Sequence, residues 1–311
     1  MNAPLETQAL FSKLTVGEGI PISGVQLVPL FLREAGREAD ALLLEEGIEG
    51  GHTVVNEVGE GGVVGQVRVL HRGHLPLLVL QGEQILGAKQ NRSFNASFIV
   101  APGKEVVLPV SCVEQGRWQR KSAAFKAGAT TLSPELRARK LKRVSESITM
   151  RGSYDANQHG VWSDVREYME ATGAHSMTSS YEDARQTKAA EAEAALERLE
   201  PAAGQTGLAV VRDGRVVVLD IFGSPRLFAR AFKKCLRGAL SDVSLRSETA
   251  SSAESAPAAE LVKQALETLS HTAATRAPSP ADGDTWSGHA DSVAYTAAVY
   301  DGAVYHCAAA G

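Results

Sequence analysis

From Gly24 to Val113 the chain is a series of short apolar runs broken by Gly, Pro, Asn or charge: VQLVPLFL, HTVVNEV, GQVRVLH, LPLLVLQ, SFNASFIV and EVVLPVSCV. Several alternate with period two. Val67 and Val69 stand against Arg68 and Leu70, and Phe94, Ala96 and Phe98 against Asn95, Ser97 and Ile99, as in half-buried antiparallel strands. The connections Arg72-Gly73-His74 and Ala101-Pro102-Gly103-Lys104 are turn-sized and rich in turn residues, so neighbouring strands are expected to pair as hairpins and close a β-sandwich or open barrel. Only Ala41 to Glu46, stopped by Gly47-Ile48-Glu49-Gly50-Gly51, interrupts this texture with a short helical signal.

After Trp118 the period becomes helical. Ser133-Pro134-Glu135 supplies an N-cap, a proline at the first helical position and an acid in the first turn, and Leu136, Leu141, Val144 and Ile148 follow as one apolar stripe. A second helix around Trp162, Val165 and Met169 ends near Gly173. A third, from about Ser180 to Glu200, is so rich in Ala, Glu and Arg that it belongs on the surface. Gly207 to Phe222 reads as a hairpin turning at Asp213-Gly214. Ser224-Pro225 then opens a helix with Phe228, Phe232, Cys235, Leu236 and Leu240 on the face expected to pack on that hairpin. Arg226, Arg230, Lys233, Lys234 and Arg237 lie on the other side, which is more simply a solvated face than a nucleic-acid surface. Ser247 to Ala259 and Arg276 to Gly288 read as flexible connections around one helix at Leu261 to Leu269. The tail SVAYTAAVYDGAVYHCAAA forms a hairpin about Asp301-Gly302, whose strands must pair with earlier ones. The fold class is therefore α+β: an N-terminal antiparallel β-sandwich or open barrel, then helices and two further β-hairpins. The divisions are an extension at 1–23, a β-rich domain at 24–120, a helical and hairpin region at 121–246, a flexible connection at 247–259, and a C-terminal helix and hairpin at 260–311.

Composition narrows the class. Across 311 residues, 44% are hydrophobic and 22% charged, with a net charge of −4, which points to a soluble globular protein and away from nucleic acid or an anionic membrane. No apolar run approaches the ~20 residues that cross a bilayer. The opening MNAPLETQALFSKL has neither the basic start nor the apolar core of a secretory signal, so a cytoplasmic location is expected. Cys112, Cys235 and Cys307 are odd in number and without C-x-x-C spacing, against a disulfide framework or a zinc knuckle. His71-x-x-His74 lies in a turn, and His306 and Cys307 point to opposite faces of a strand, so no metal site is expected and no cofactor either.

Two polar motifs sit inside the apolar β texture. The first runs from Gln81 to Asn95 and carries Glu83, Lys89, Gln90, Asn91 and Arg92; the second, Ser111 to Trp118, carries Cys112, Glu114, Arg117 and Trp118. If LPLLVLQ, SFNASFIV and EVVLPVSCV form an antiparallel meander, the first and third strands leave the sheet at the same edge, and Lys89, Arg92, Glu114 and Arg117 converge there. In that arrangement Lys89 and Arg92 bind an anion, Glu83 or Glu114 accepts hydroxyls or acts as a base, and Trp118 offers a stacking face. The competing reading is a buried Glu–Arg network that holds a sandwich corner. Cys112 is a candidate nucleophile if Arg117 depresses its pKa, and a core residue if it shares a face with Leu108 and Val110.

The run GEQILGAKQNRSFNASFIVAPGKEVVLPVSCVEQGRW, with QHGVWSDV and LDIFGSPRLFARAFKK further on, resembles a bacterial domain family, the ADP-ribosylglycohydrolase and rhodanese-phosphatase associated proteins. The likeness covers most of Gly24 to Leu240, and the segment after Ser247 and the AAAG ending are least like it. What the resemblance implies is a link to ADP-ribose and NAD-related metabolism; it carries over no catalytic residue. The expected function is recognition of a small anionic metabolite of the nucleotide or ADP-ribose type, with processing left open. The alternative is a non-catalytic structural or self-associating module, a homo-oligomer in the latter case, whose polar motifs rigidify the sheet or form a subunit interface.

Overall fold

The computed structural model describes residues 9–22, 24–33, 39–187, 189–241, 257–290 and 292–311. Along them run β1 (Leu14–Val16), β2 (Ile20–Ile22), β3 (Val25–Leu32), β4 (Leu42–Leu43), α1 (Leu44–Glu49), β5 (Thr53–Glu57), β6 (Gln66–His71), β7 (Leu77–Val79), β8 (Glu83–Gly87), β9 (Arg92–Phe94), β10 (Phe98–Val100), β11 (Glu105–Cys112) and β12 (Phe125–Thr131). Then come α2 (Pro134–Arg151), α3 (Gln158–Thr172), α4 (Tyr181–Gln186), α5 (Ala189–Leu196), β13 (Gly207–Arg212), β14 (Arg215–Phe222), α6 (Pro225–Ala239), α7 (Ala258–His271), β15 (Ala274–Pro278), β16 (Asp284–His289), β17 (Ala294–Tyr300) and β18 (Ala303–Ala310).

The largest sheet has nine strands in the order β1-β3-β13-β14-β18-β17-β16-β15, with β2 also paired to β3. Its middle strands, GLAVVR, RVVVLDIF, AYTAAVY and AVYHCAAA, are buried on both faces and therefore need two covers. α7 is one cover, with Val262, Leu266 and Leu269 in a core with Val28, Leu30, Ala209 and Leu219. α6 lies on the opposite face, where Phe228, Phe232 and Leu236 join Leu27, Leu208, Val210 and Val218, so its apolar side packs on the Asp213-Gly214 hairpin as expected. Ala308, Ala309 and Ala310 lie in the middle of the sheet between β14 and β17. The small side chains of Ala308 and Ala310 let α2 approach closely, so that Ala138 and Leu141 pack with them and with Val217, while Ala309 belongs to the core under α7. From its other side α2 sends Leu136, Val144 and Ile148 into the core of the six-stranded sheet, ordered β12-β8-β9-β11-β6-β5. The third sheet is β10-β7-β4.

Local signals survive where turn or cap chemistry is explicit. Asp213 and Gly214 adopt φ of 51° and 72°, and Asp301 and Gly302 φ of 50° and 73°, the positive values a tight hairpin turn requires. The Ser224 hydroxyl accepts the Leu227 N–H at 3.2 Å and caps α6. α3 ends at Gly173 in the left-handed conformation.

Strand pairing departs from the expectation. Neither Arg72-Gly73-His74 nor Ala101-Pro102-Gly103-Lys104 closes a hairpin: β6 and β11 belong to the six-stranded sheet, β7 and β10 to the three-stranded one. SFNASFIV is not one strand but two, β9 and β10, in different sheets. Asn95 donates to the Tyr154 carbonyl at 2.8 Å and the Ser97 hydroxyl accepts the Gln81 N–H at 2.9 Å; both side chains tie the bend between the strands to other segments. The meander is therefore absent, and the first polar motif is itself a hairpin, β8 with β9. The boundary at residue 24 is not a boundary between sheets, since β1 and β2 pair with β3. The long third helix is broken into α4 and α5. Arg276 to Gly288 is not a flexible connection but contributes to the β15–β16 hairpin, with Arg276 opposite Trp286. Of Ser247 to Ala259, residues 247–256 lie outside the described residues, and Ala258 and Ala259 open α7.

The structure also buries three helical cations, one of them against expectation. Lys234, expected on a solvated face, is buried and pairs with Glu83 and with Glu45. On α2, Arg137 and Lys140 are as buried as the apolar stripe between which they stand. Arg137 grips Asp220 of β14 with two hydrogen bonds of 2.7 and 2.6 Å and reaches Gln81 at 3.0 Å. His306 Nε2 lies 3.1 Å from Asp220 Oδ1, the oxygen it shares with Arg137 Nη2, and its Nδ1 lies 2.7 Å from Ser97 Oγ. The bonds are all made when His306 is neutral with its proton on Nε2, accepting from Ser97 at Nδ1. Each member of the Ser97-His306-Asp220 chain is buried, and the chain joins the bend between β9 and β10 to the nine-stranded sheet.

This network makes stability depend on pH in one direction. Burial holds His306 below its ordinary value despite the Asp220 hydrogen bond. Burial opposes ionisation of Asp220, but Arg137 and His306 together hold its carboxyl well below the carboxylate range. At both sites the unfolded chain takes up protons more readily than the folded one. The stabilisation is thus fully present above about pH 6.5, erodes below it as the unfolded histidine protonates, and erodes further below about pH 4 as the unfolded aspartate does. Denaturant titrations at pH 7.5, 6 and 5 should show stability falling step by step, with a shallower fall in His306→Gln; an equal fall in both would remove His306 from this role.

Candidate functional site

The two polar motifs do meet, by direct pairing. β9 runs antiparallel to β11 with Arg92 opposite Cys112, which sets residues 87–91 beside residues 113–117. Glu114 accepts the Asn91 N–H at 3.0 Å and is gripped by Arg117 through Nε at 2.8 Å and Nη2 at 2.7 Å. Arg117 also donates to the Ala88 carbonyl at 2.8 Å and the Gly87 carbonyl at 3.2 Å, so the pair fastens the β8–β9 turn. Burial alone would raise the Glu114 pKa, but Arg117, the Asn91 N–H and the Thr178 hydroxyl together hold it below the usual value.

Arg92 has 0% of its surface exposed. Its Nη2 pairs with Glu57 at 2.8 Å, and its Nη1 donates to the carbonyls of Val63 at 2.5 Å, Val64 at 2.8 Å and Gln66 at 3.0 Å. The second Glu57 oxygen accepts the Lys89 N–H at 3.0 Å. Lys89 Nζ donates to the Gly61 carbonyl at 2.6 Å and stands 5.4 Å from the centre of the Trp118 ring, which is 45% exposed. Gln90 is buried, with Nε2 3.5 Å from the Gln115 carbonyl. Lys89, Gln90, Asn91, Arg92, Glu114, Arg117 and Trp118 are thus neighbours. Glu83 is not among them: it sits at the opposite end of β8, bound by Lys234 and by the Leu80 N–H.

Cys112 is buried, and its Sγ lies 3.4 Å from the Val64 carbonyl. Burial raises its pKa to about 11, outweighing the opposing pull of Arg92, so the lowering expected from a nearby guanidinium does not occur and the side chain is a thiol.

The segment that Arg92 holds lines a cleft of about 600 Å³. Val63, Val64, Gly65 and Gln66 lie along it; Asn95, Val110 and Ser111 come from the sheet, and Tyr154, Asp155 and Gln158 from the α2–α3 connection. Ser111 donates to Asn95 Oδ1 at 2.8 Å, and Gln158 pairs with both backbone groups of Cys112 at 2.8 and 2.9 Å, fastening that connection to β11. Val63, Val64 and Val107 are 41%, 41% and 39% exposed and supply apolar surface. The cleft offers hydrogen-bonding and apolar contacts of the kind that hold a small molecule. Among the described residues no cluster of three His, Cys, Asp or Glu side chains is disposed to hold a metal ion, and no helix is long and apolar enough to cross a membrane.

Sequence reasoning singled out the cations and missed what they hold. Glu57 and the glycine-rich segment before β6 carried no motif, and Gln158 was visible only as the first residue of QHGVWSDV. The signal that was available is Gly61-Gly62 with Gly65, glycines that weaken a strand and mark close approach of backbone.

A family model described as the ARG and Rhodanese-Phosphatase-superfamily-associated Protein domain matches residues 13–310, and the chain belongs to that family. The match extends through β18, so the C-terminal alanine strand, least family-like by eye, lies within the family's domain. Comparisons with curated proteins and with solved structures returned no match.

Two outcomes follow from this geometry. Arg92→Met should lower the stability of the unliganded protein by about 3–5 kcal/mol, because it strands Glu57 in the interior. A denaturant titration showing a loss under about 1 kcal/mol would mean that the pair is not buried. Iodoacetamide at pH 7.5 should leave Cys112 unmodified in the folded protein and alkylate it rapidly in denaturant, as peptide mass spectrometry would show; equal rates would contradict the buried thiol.

Proposed function

We propose that this chain is a recognition module for a small metabolite, with the cleft as its binding site and the two polar motifs as struts that keep the cleft in shape. The observation that carries this reading is where the Arg92 guanidinium goes: to three carbonyl acceptors, those of Val63, Val64 and Gln66, in the segment that lines the cleft. A concavity held rigid before any ligand arrives, with apolar lining and a few oriented polar groups, is the usual form of a small-molecule site. The polar-motif residues then act as positioning residues. The family's description associates its members with ARG and rhodanese-phosphatase proteins. With ARG read as ADP-ribosylglycohydrolase, that association favours a metabolite of the nucleotide or ADP-ribose type as the class to test first. The proposal gives Cys112 no catalytic role, since burial keeps its thiol protonated.

A second reading is favoured by the dry pairing of Glu57 with Arg92: a structural or self-associating module in which these residues serve the fold alone. Hydrogen exchange separates the two. With ADP-ribose, NAD and AMP as probes, the recognition module should show slowed exchange over residues 63–66, 109–112 and 152–158 together with a raised Tm. Val64→Trp, at a half-exposed position in the lining, should abolish the protection and leave the unliganded Tm nearly unchanged. Absence of protection there with every probe would leave the structural module.

A further inference from the structure

We infer that the cleft receives the uncharged, hydroxyl-bearing part of its ligand, a nucleoside-like ring and sugar, and excludes phosphate; this rests on the cleft being the binding site. The neighbouring guanidiniums are turned to other partners: Arg92, buried with only its Nε left without an acceptor, binds Glu57 and three carbonyls, and Arg117 binds Glu114 and the β8–β9 turn. Neither lines the cleft, nor does Lys89. The lining holds one charged side chain, Asp155, and that is a carboxylate.

Asp155 is exposed, accepts the Asn157 N–H at 2.9 Å through Oδ1, and has no ion pair among the described residues. A carboxylate without a cation repels a phosphate and accepts hydroxyls. Carboxylates hold ribose hydroxyls in this way in dinucleotide-binding folds. The remaining polar groups are neutral and already oriented. Asn95 donates one amide hydrogen to the Tyr154 carbonyl, and Gln158 donates one to the Cys112 carbonyl. Each amide nitrogen keeps a second hydrogen and each amide oxygen a second lone pair, the complement of hydroxyls and heterocycle edges. Val63, Val64 and Val107 give a ring an apolar surface to lie on.

Isothermal titration of the full chain with adenosine, AMP and inorganic phosphate tests the inference, with hydrogen exchange reporting whether residues 63–66 and 152–158 are protected. Adenosine should bind at least as tightly as AMP, and phosphate should give no heat. Asp155→Ala should weaken adenosine about tenfold or more, while Asp155→Asn should narrow the gap by tightening AMP, both with an unchanged Tm. AMP or phosphate protecting the cleft more tightly than adenosine in the unmodified protein would overturn the inference and leave the recognition reading standing. Failure of adenosine, AMP and ADP-ribose alike to protect the cleft would overturn both.

Discussion

A helix packed between two sheets keeps only a narrow solvent-facing stripe, on α2 Arg139, Glu146 and Met150, so polar residues elsewhere on it are buried, and the fold is organised around how α2 meets that constraint. Its Ala138 and Leu141 press on the nine-stranded sheet and its Leu136, Val144 and Ile148 on the six-stranded one. The cations between them must then find partners inside the protein, because an unpaired buried charge is far too costly. Arg137 finds Asp220 on β14, and Lys140 finds the Ser93 and Phe94 carbonyls of β9 at 2.8 and 2.7 Å. Burial, with repulsion from Arg137 and Arg143, drives the Lys140 pKa well below the lysine range. The two side chains point to different sheets. They fix the separation and the register of the layers, which apolar packing alone leaves adjustable.

The same device appears at smaller scale beneath the cleft. A guanidinium has five donors in a rigid fork and no use for water once buried, so it gathers acceptors. Arg92 gathers them from a glycine-rich stretch that makes few ladder bonds of its own and would otherwise be loose. Glu57 balances the charge and, through its second oxygen, holds Lys89 N–H as well. Rigidity of the lining and burial of the polar motifs are therefore one property. The motifs gain their importance for a ligand through the backbone they hold in place.

What the sequence determined by itself is the part encoded within a few residues. Asp213-Gly214 and Asp301-Gly302 turn the chain because their backbones tolerate positive φ, Ser224-Pro225 starts α6 because the serine hydroxyl meets an unsatisfied N–H, and the spacing of Phe228, Phe232 and Leu236 selects the buried face of that helix. The α+β class follows from the same local texture, whereas the two polar motifs meet through the pairing of β9 with β11 and not through the expected meander. Tertiary structure decided the rest. Period-two alternation cannot say which strand lies alongside which, so β6 and β7, adjacent in the chain, part into different sheets, while β9 finds β11. Helical periodicity reads Lys234 as surface because it counts polarity and cannot count partners; Glu83 and Asp220, which pair with Lys234 and Arg137 in the interior, are 151 and 83 residues away. The cleft was invisible for the same reason. It is assembled from residues 63–66, 95–111 and 152–158, and no segment of the chain carries its shape. Turns and caps are short-range energies that a sequence displays directly, whereas the burial of a charge and the hollow between two layers exist only once distant segments are brought together.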